Sequence, residues 1–113
     1  MALALVVAII QSQQLGAVEE RLQDIGVRGI TVVPARGFGE HALRHDICGH
    51  LLMRDQVKLE IYVADERADR VASAIVDAAH TGAPGDGIVA ILPVRRVFSI
   101  RSRSDKVPNR TPD

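Results

Sequence analysis

A glycine-rich segment late in the chain has the composition of an anion-binding turn. It reads Thr-Gly-Ala-Pro-Gly-Asp-Gly and runs from Thr81 to Gly87. Because glycine tolerates positive φ, several backbone N–H groups of such a segment can converge on one phosphate or carboxylate. Arg101 and Arg103 follow it and can add positive charge. The structural alternative is that Gly82 caps a helix and the remaining residues form a tight turn into a strand.

A second group of reactive side chains lies between residues 37 and 56. It contains three imidazoles and the single thiol of the chain, at His41, His45, Cys48 and His50. Imidazole and thiolate suit zinc or copper, but this spacing matches no compact ligand motif. One cysteine also excludes an internal disulfide and a multi-cysteine site. Metal binding is therefore an alternative to a solvated loop that contacts partner proteins.

An acid–base pair is the third chemical option. His80 and Asp86 lie at a spacing that lets an imidazole and a carboxylate meet. An aspartate in such a turn more commonly orders its own backbone, and a histidine at a helix C-terminus interacts favourably with the helix dipole. We therefore expect a protein that is not an enzyme.

Composition restricts the class of protein. The chain has 113 residues, which indicates one domain, and its 47% hydrophobic but 3% aromatic content predicts a core of Val, Ile, Leu and Ala. Its 14 basic and 14 acidic residues cancel, so no general attraction to nucleic acid or membranes is expected. The apolar start, Met1 to Ile10, lacks a basic flank and a cleavage site and is too short to span a bilayer. We expect a cytoplasmic protein in a reducing compartment.

Hydrophobic periodicity predicts two amphipathic helices. Leu15, Val18, Leu22 and Ile25 form the apolar stripe of the first, which Gly26 ends. In the second, Val71, Ile75 and Ala78 or Ala79 share one face, whereas the charged side chains point largely away. Those predicted outward residues are Glu66, Arg67, Asp69, Arg70 and Asp77. Ser12 and Asp65 are the predicted N-caps.

Apolar runs and alternation predict the strands. They are expected at Leu3–Ile10, Ile30–Phe38, Val57–Val63 and Ile88–Val94, with a short additional strand within Val97–Ser102. Pro34 places the second of these at an edge, a bulge or the end of regular pairing. The order βαββαβ predicts an α+β, ferredoxin-like sandwich with an antiparallel sheet and both helices on one face. We expect a single domain over residues 1–104 and a flexible polar tail over 105–113.

These motifs resemble those of the PII signal-transduction family, small ferredoxin-like trimers that bind adenine nucleotides in clefts between subunits. The resemblance extends from Leu3 to Arg103. The motifs that carry it are Thr81–Gly87, Gly29-Ile30-Thr31, Gly37-Phe38-Gly39 and Ile100-Arg101. It implies a homotrimer with nucleotide-binding positions at Ile9, Thr31, Gly37, Phe38, Gly39, Tyr62, Thr81, Gly82, Gly85, Asp86, Gly87, Arg101 and Arg103.

Two departures from the family pattern concern the phosphates. Ile88 stands where typical members have Lys, and Ser99 where they have the first of two tail arginines. Each charge-assisted contact contributes about 1.5–3 kcal/mol, so losing two should weaken triphosphate binding most. We therefore expect ADP or AMP to be favoured over ATP, unless Arg36, Arg95 or Arg103 compensates.

The segment at about residues 39–56 resembles a shortened PII effector loop. It has no Tyr to be modified, has His41 where the family has a metal-coordinating Gln, and offers no clear match for the Lys that receives 2-oxoglutarate. These departures resemble a branch linked to inorganic carbon and carboxysomes that binds adenine nucleotide with bicarbonate. The implied partner is a transporter, an enzyme or a carboxysome-related protein. The alternative is a trimeric, CutA-like metal-binding protein that uses the His and Cys side chains of this loop.

Overall fold

The structure is a computed structural model that describes residues 2–37, 44–45, 51–52 and 54–110, with residues 44–45 and 51–52 described through their backbone alone. A 3-10 turn at Ser12–Gln14 joins the first strand to the first helix. The other elements are β1 (Leu3–Gln11), α1 (Leu15–Asp24), β2 (Thr31–Gly37), β3 (Arg44–His45), β4 (Leu51–Leu52), β5 (Arg54–Ala64), α2 (Asp65–Ala79), β6 (Gly87–Val94), β7 (Phe98–Ser99) and β8 (Ser104–Asp105).

Within the described residues, four strands form one antiparallel sheet in the order β2-β5-β1-β6. This order confirms the predicted ferredoxin-like α+β fold. Pro34 lies in β2, the edge strand, where its missing N–H costs no ladder hydrogen bond. Two short pairs, β3 with β4 and β7 with β8, lie outside this sheet.

The core lies between the sheet and the helices. Alternate residues of β1 and β5 point into it, and the predicted apolar stripes of α1 and α2 cover them. Val18 and Leu22 are buried from α1, and Val71, Ile75 and Ala79 from α2. The main sheet residues of this core are Ala4, Val6, Ala8, Ile10, Val57, Leu59, Ile61 and Val63.

The opposite side of the sheet, which we call the open face, is also apolar. Register pairs Leu5 with Leu92, Val7 with Ala90 and Ile9 with Ile88 across β1 and β6. Ile88 is 65% exposed and Leu92 43% exposed. The uninterrupted apolar run of β1 thus has a simple cause, because one set of its side chains enters the core and the other set lines the open face.

The structure corrects the predicted helix ends. Ser12 begins the 3-10 turn, so α1 starts three residues later without a side-chain cap among the described residues. Asp65 is the first residue of α2, where its charge favours the positive end of the helix dipole. The Gly82 cap is also wrong, because α2 ends at Ala79 with His80 in extended conformation. Gly26, at φ +84°, ends α1 as predicted.

Two further predictions differ from the structure, and they share one cause. Arg67 was expected to face solvent, but it is 6% exposed and donates to the Asn109 carbonyl. The tail was expected to fray from Asp105, but Asp105 lies in β8 and Asn109 bonds to the Tyr62 carbonyl of β5. The buried guanidinium and this tail satisfy each other's polar groups.

No helix in the described part of the chain is long and apolar enough to cross a bilayer.

Candidate functional site

The segment from Thr81 to Gly87, here called the Asp86 turn, is organised by one carboxylate. Oδ2 of Asp86 accepts hydrogen bonds from the backbone N–H of Thr81 at 2.8 Å and of Gly82 at 3.0 Å. The Thr81 hydroxyl donates to Oδ1, and Oγ1 of Thr81 in turn accepts from the Ala83 N–H at 3.2 Å. The turn therefore holds its shape largely through bonds among its own residues.

These hydrogen bonds also set the charge of the turn. The Thr81 hydroxyl, followed by the N–H groups of Thr81 and Gly82, lowers the pKa of Asp86 below its ordinary value of 3.8. Nδ1 of His80 lies 3.7 Å from Oδ2 and lowers it further when protonated. At neutral pH the turn thus contains a carboxylate, and cations that neutralise a bound phosphate must come from other segments.

Glycine is required at several positions of the turn. Gly82, Gly85 and Gly87 have φ values of +86°, +95° and +108°, a region that side chains disfavour. A Cβ at Gly87 would lie 1.8 Å from the carbonyl oxygen of Ile9. The turn consequently packs its backbone directly against β1, next to the predicted site residue Ile9.

Two side chains from the sheet fix the outer part of the turn. Nε2 of Gln11 donates to the Gly85 carbonyl at 3.1 Å, and Nη1 of Arg54 donates to the Pro84 carbonyl at 3.2 Å. Arg54 begins β5 and pairs with Gly37 of β2. The strand that follows residues 38–53 therefore contacts the Asp86 turn directly through Arg54. Sequence reasoning missed Arg54, because nothing in its local pattern indicates a bond to a residue 30 positions away.

The remaining loop predictions concern residues outside this description. Phe38 and Gly39 lie outside the described residues, as do His41, Cys48 and His50, and His45 is described through its backbone alone. Within the described parts of the chain, no group of three His, Cys, Asp or Glu side chains is arranged to hold a metal.

A second concave region, which we call the Tyr62 cleft, lies near the other end of the sheet. It has a volume of about 730 Å³ and contains the predicted residues Thr31 and Tyr62, together with Gly29 and Ile30 of the supporting motif. Glu60 lines the same cleft and was not predicted. Its alternation with Lys58 and Tyr62 on the open face of β5 is the signal that could have identified it.

The structure divides the predicted site residues between these two regions. Gly87 lies opposite Ile10 of β1, whereas Tyr62 lies opposite Leu5. That offset of five residues corresponds to about 16 Å along the strands, in addition to the distance across the sheet. Each region carries only part of the predicted nucleotide site.

The two predicted arginines lie on the side of the Tyr62 cleft. Arg101 and Arg103 occupy the connection between β7 and β8, where the Arg103 N–H donates to the Ser99 carbonyl at 2.9 Å. β6, with its eight residues, separates this connection from the Asp86 turn, a length of about 25 Å. Within one chain, Arg101 is therefore too distant to reach an anion bound at the Asp86 turn.

The fold and the divided site define a class of protein, a ferredoxin-like α+β domain with an apolar open face and predicted binding residues at both ends of its sheet. Comparison with known proteins identifies the family within that class. The chain belongs to the nitrogen regulatory protein P-II family, whose model matches residues 3–104. The resemblance inferred from the sequence motifs is thereby confirmed.

Individual relatives agree with this assignment. The chain is 40% identical to the nitrogen regulatory protein P-II of Pasteurella multocida over 99 residues, which cover 84% of this chain and 88% of that protein. It is 34% identical to the nitrogen regulatory protein GlnK of Escherichia coli over 102 residues, or 87% and 91% of the two chains. The crystal structure of Arabidopsis thaliana PII bound to citrate matches with a TM-score of 0.77 and 32% identity, covering 93% of this chain and 89% of that one.

Proposed function

We propose that this chain is a non-catalytic regulatory protein that assembles as a homotrimer, binds adenine nucleotide between its subunits and signals to a target protein through residues 39–56. Membership of the P-II family supports the regulatory role. The proposed setting is inorganic-carbon or nitrogen metabolism, and the proposed target is a transporter, an enzyme or a carboxysome-related protein.

The observation that carries the proposal is the separation of the two half-sites. The Asp86 turn has glycines that suit a close approach by an anion, but its Thr81 and Gly82 N–H groups already bond to Asp86, and none of its residues has a cationic side chain. The Tyr62 cleft has the volume and aromatic lining suited to a nucleoside, and Arg101 lies on the adjacent β7–β8 connection. A nucleotide that uses both regions must bind between two copies of the chain, with the turn from one copy and the cleft from the next.

The open face supplies a surface for that assembly. Its rows of apolar side chains across β1 and β6 leave Ile88 and Leu92 substantially exposed in the isolated chain. Burial of such side chains contributes about 1.5–3 kcal/mol each. Packing of these faces around a threefold axis would bring the turn of one subunit towards the cleft of its neighbour.

We propose that ADP or AMP is the preferred nucleotide. Ile88, which follows the turn directly and is 65% exposed, occupies a position from which a cation could reach a phosphate. The ionised Asp86 adds negative charge where a triphosphate already carries the most. Bicarbonate is the proposed second ligand, since a small anion makes fewer demands on positive charge than a γ-phosphate does.

Signalling requires that nucleotide binding favour one conformation of the loop over another, because a ligand shifts an equilibrium only through its differential affinity. The hydrogen bond from Arg54 to the Pro84 carbonyl connects the strand that follows the loop to the phosphate-binding turn. A ligand that repositions the turn therefore acts on Arg54, at the start of the strand that follows the loop.

Titration calorimetry with AMP, ADP and ATP, each with and without bicarbonate or 2-oxoglutarate, tests this proposal. The expected result is binding at micromolar concentrations, with ADP or AMP tighter than ATP, to a species of three 12.2 kDa chains in sedimentation analysis. Absence of nucleotide binding would refute the proposed ligand. A monomer that binds nucleotide at full affinity would refute the intersubunit site.

A further inference from the structure

The segment from Lys106 to Arg110 packs along the Tyr62 cleft and contributes to its lining. One amide side chain holds it in place. Nδ2 of Asn109 donates to the carbonyls of Gly29 at 3.2 Å and Tyr62 at 3.0 Å. Oδ1 of Asn109 accepts from the N–H groups of Arg28 at 2.9 Å and Gly29 at 3.4 Å. This amide therefore joins the segment between α1 and β2 to strand β5.

A buried arginine of α2 also bonds to this segment. Nη1 of Arg67 donates to the Asn109 carbonyl at 3.3 Å, and Nη2 donates to the Ile25 carbonyl. Arg67 lies in α2 and is 6% exposed. A guanidinium taken out of water is costly unless its N–H groups are bonded, so these carbonyl acceptors belong to the folded arrangement.

The backbone at Asn109 is adapted to this role. Its φ of +49° lies in the left-handed region, where asparagine is enriched among residues other than glycine. Pro108 precedes it and has a fixed φ, which restricts the approach of the chain to the cleft. Backbone conformation, side-chain hydrogen bonds and the buried arginine thus specify one position for the segment.

We propose that residues 106–110 form a fixed wall of the nucleoside half of the binding site, with Asn109 and Arg67 as its positioning residues. The inference rests on the proposed nucleotide-binding function and specifies how one half of that site is shaped. Asn109 bonds to the peptide groups of Gly29 and Tyr62, and both residues line the cleft. The wall acts where the base and ribose would lie, so its contribution should not depend on the number of phosphates.

Nucleotide titrations of Asn109→Gly test the wall. Glycine keeps the left-handed backbone conformation accessible and removes all the hydrogen bonds of the Asn109 side chain. The change therefore isolates the contribution of those bonds. We expect the affinities for AMP and ADP to fall by the same factor, about tenfold, with their ratio unchanged. Gln23→Ala, which removes an exposed amide from α1, is the matched control and should bind both nucleotides like the wild type.

Asn109→Asp tests the two hydrogen bonds that the Asn109 side chain donates. Aspartate tolerates the same φ and still accepts from the N–H groups of Arg28 and Gly29, but it cannot donate to the carbonyls of Gly29 and Tyr62. The oxygen that replaces Nδ2 would face those two carbonyl oxygens, so the AMP and ADP affinities should fall at least as far as in Asn109→Gly, again by one common factor. If the glycine variant does not fold, this variant decides by the same criterion. If the variants bound both nucleotides as tightly as the wild type, or if only the affinity for ADP fell, the proposed role of residues 106–110 would be wrong. If the wild type binds no adenine nucleotide, the proposed function fails as well.

Discussion

The Asp86 turn and the Tyr62 cleft are built in opposite ways. The turn consists of consecutive residues, and its main bonds join Asp86 to residues four and five positions away. The cleft is formed by residues from four separate parts of the chain, within 26–31, 60–62, 97–100 and 106–110. The bonds of Asn109 that close it span 47 to 81 positions.

The difference shows which half of the proposed site can vary independently. A turn held by its own carboxylate keeps most of its shape as long as β1 and β6 stay paired, and the side chains of Gln11 and Arg54 add support at its outer part. A cleft closed by a tail depends on the packing of α2, on the end of α1 and on the tail itself. Substitutions far from the ligand should therefore change the nucleoside half more readily than the phosphate half.

Gly87→Ala should have the largest effect, because it disrupts the close packing of the turn's backbone against β1. The new Cβ would lie 1.8 Å from the Ile9 carbonyl oxygen and would impose a φ of +108° on an L-residue. We expect the free energy of unfolding to fall by more than about 3 kcal/mol in urea titrations. Gly16→Ala, whose Cβ would meet nothing within 4 Å, is the control and should be neutral or stabilising. Equal stability of the two variants would show that β1 and the turn are not tightly packed.

The same contrast explains what the sequence could predict. The four-stranded plan, the apolar stripe of α1 and the glycine turn were predicted, because each is a local pattern of spacing or composition. The tail has no periodicity, and its contacts connect residues far apart in the chain. Arg67 lies among Glu66, Asp69 and Arg70, so its helix context predicted solvent exposure. Hydrogen bonds to the carbonyls of Ile25 and Asn109 make its burial favourable.

Asp86→Asn should weaken the turn without disturbing the cleft. The amide keeps one acceptor oxygen but loses the charge that the Thr81 hydroxyl and the N–H groups of Thr81 and Gly82 stabilise. We expect a lower thermal midpoint at neutral pH and a changed ratio of ADP to AMP affinity. Asn109→Gly, in contrast, should leave that ratio constant.

The pH dependence gives a second measurement of the same group. Hydrogen bonds to the carboxylate lower the pKa of Asp86 in the folded state, so its contribution to stability is present above its ordinary value of 3.8. That contribution is lost as the pH falls through the lowered pKa. The stability gap between the wild type and Asp86→Asn should therefore be full at neutral pH and close in acid. If the difference in stability between the wild type and Asp86→Asn stayed constant down to acidic pH, the charge of Asp86 would not be what organises the turn. Asp24→Asn, at an exposed site on α1, controls for general charge effects.

Ile88→Lys tests whether missing charge, rather than the shape of the turn, limits triphosphate binding. The side chain is 65% exposed on the open face and directly follows the turn, so an ammonium group there can approach a bound phosphate. We expect the affinity for ATP to rise by about tenfold relative to AMP. Gln23→Lys adds the same charge to α1 and should leave the ratio unchanged. An unaltered ratio in Ile88→Lys, with the trimer intact, would locate the nucleotide preference elsewhere.

Arg54→Gln should have the smallest effect on stability, and it tests how self-contained the Asp86 turn is. The variant removes the hydrogen bond to the Pro84 carbonyl but none of the bonds centred on Asp86. Since the bond is exposed, its loss should lower the free energy of unfolding by no more than about 1 kcal/mol. Arg21→Gln, at an exposed position of α1, is the matched control for charge. If Arg54→Gln destabilised the protein as much as Gly87→Ala does, the turn would depend on the loop stem as strongly as the cleft depends on the tail. If the effect is small, Arg54 can couple the conformation of the turn to that of the loop, although the turn forms without it.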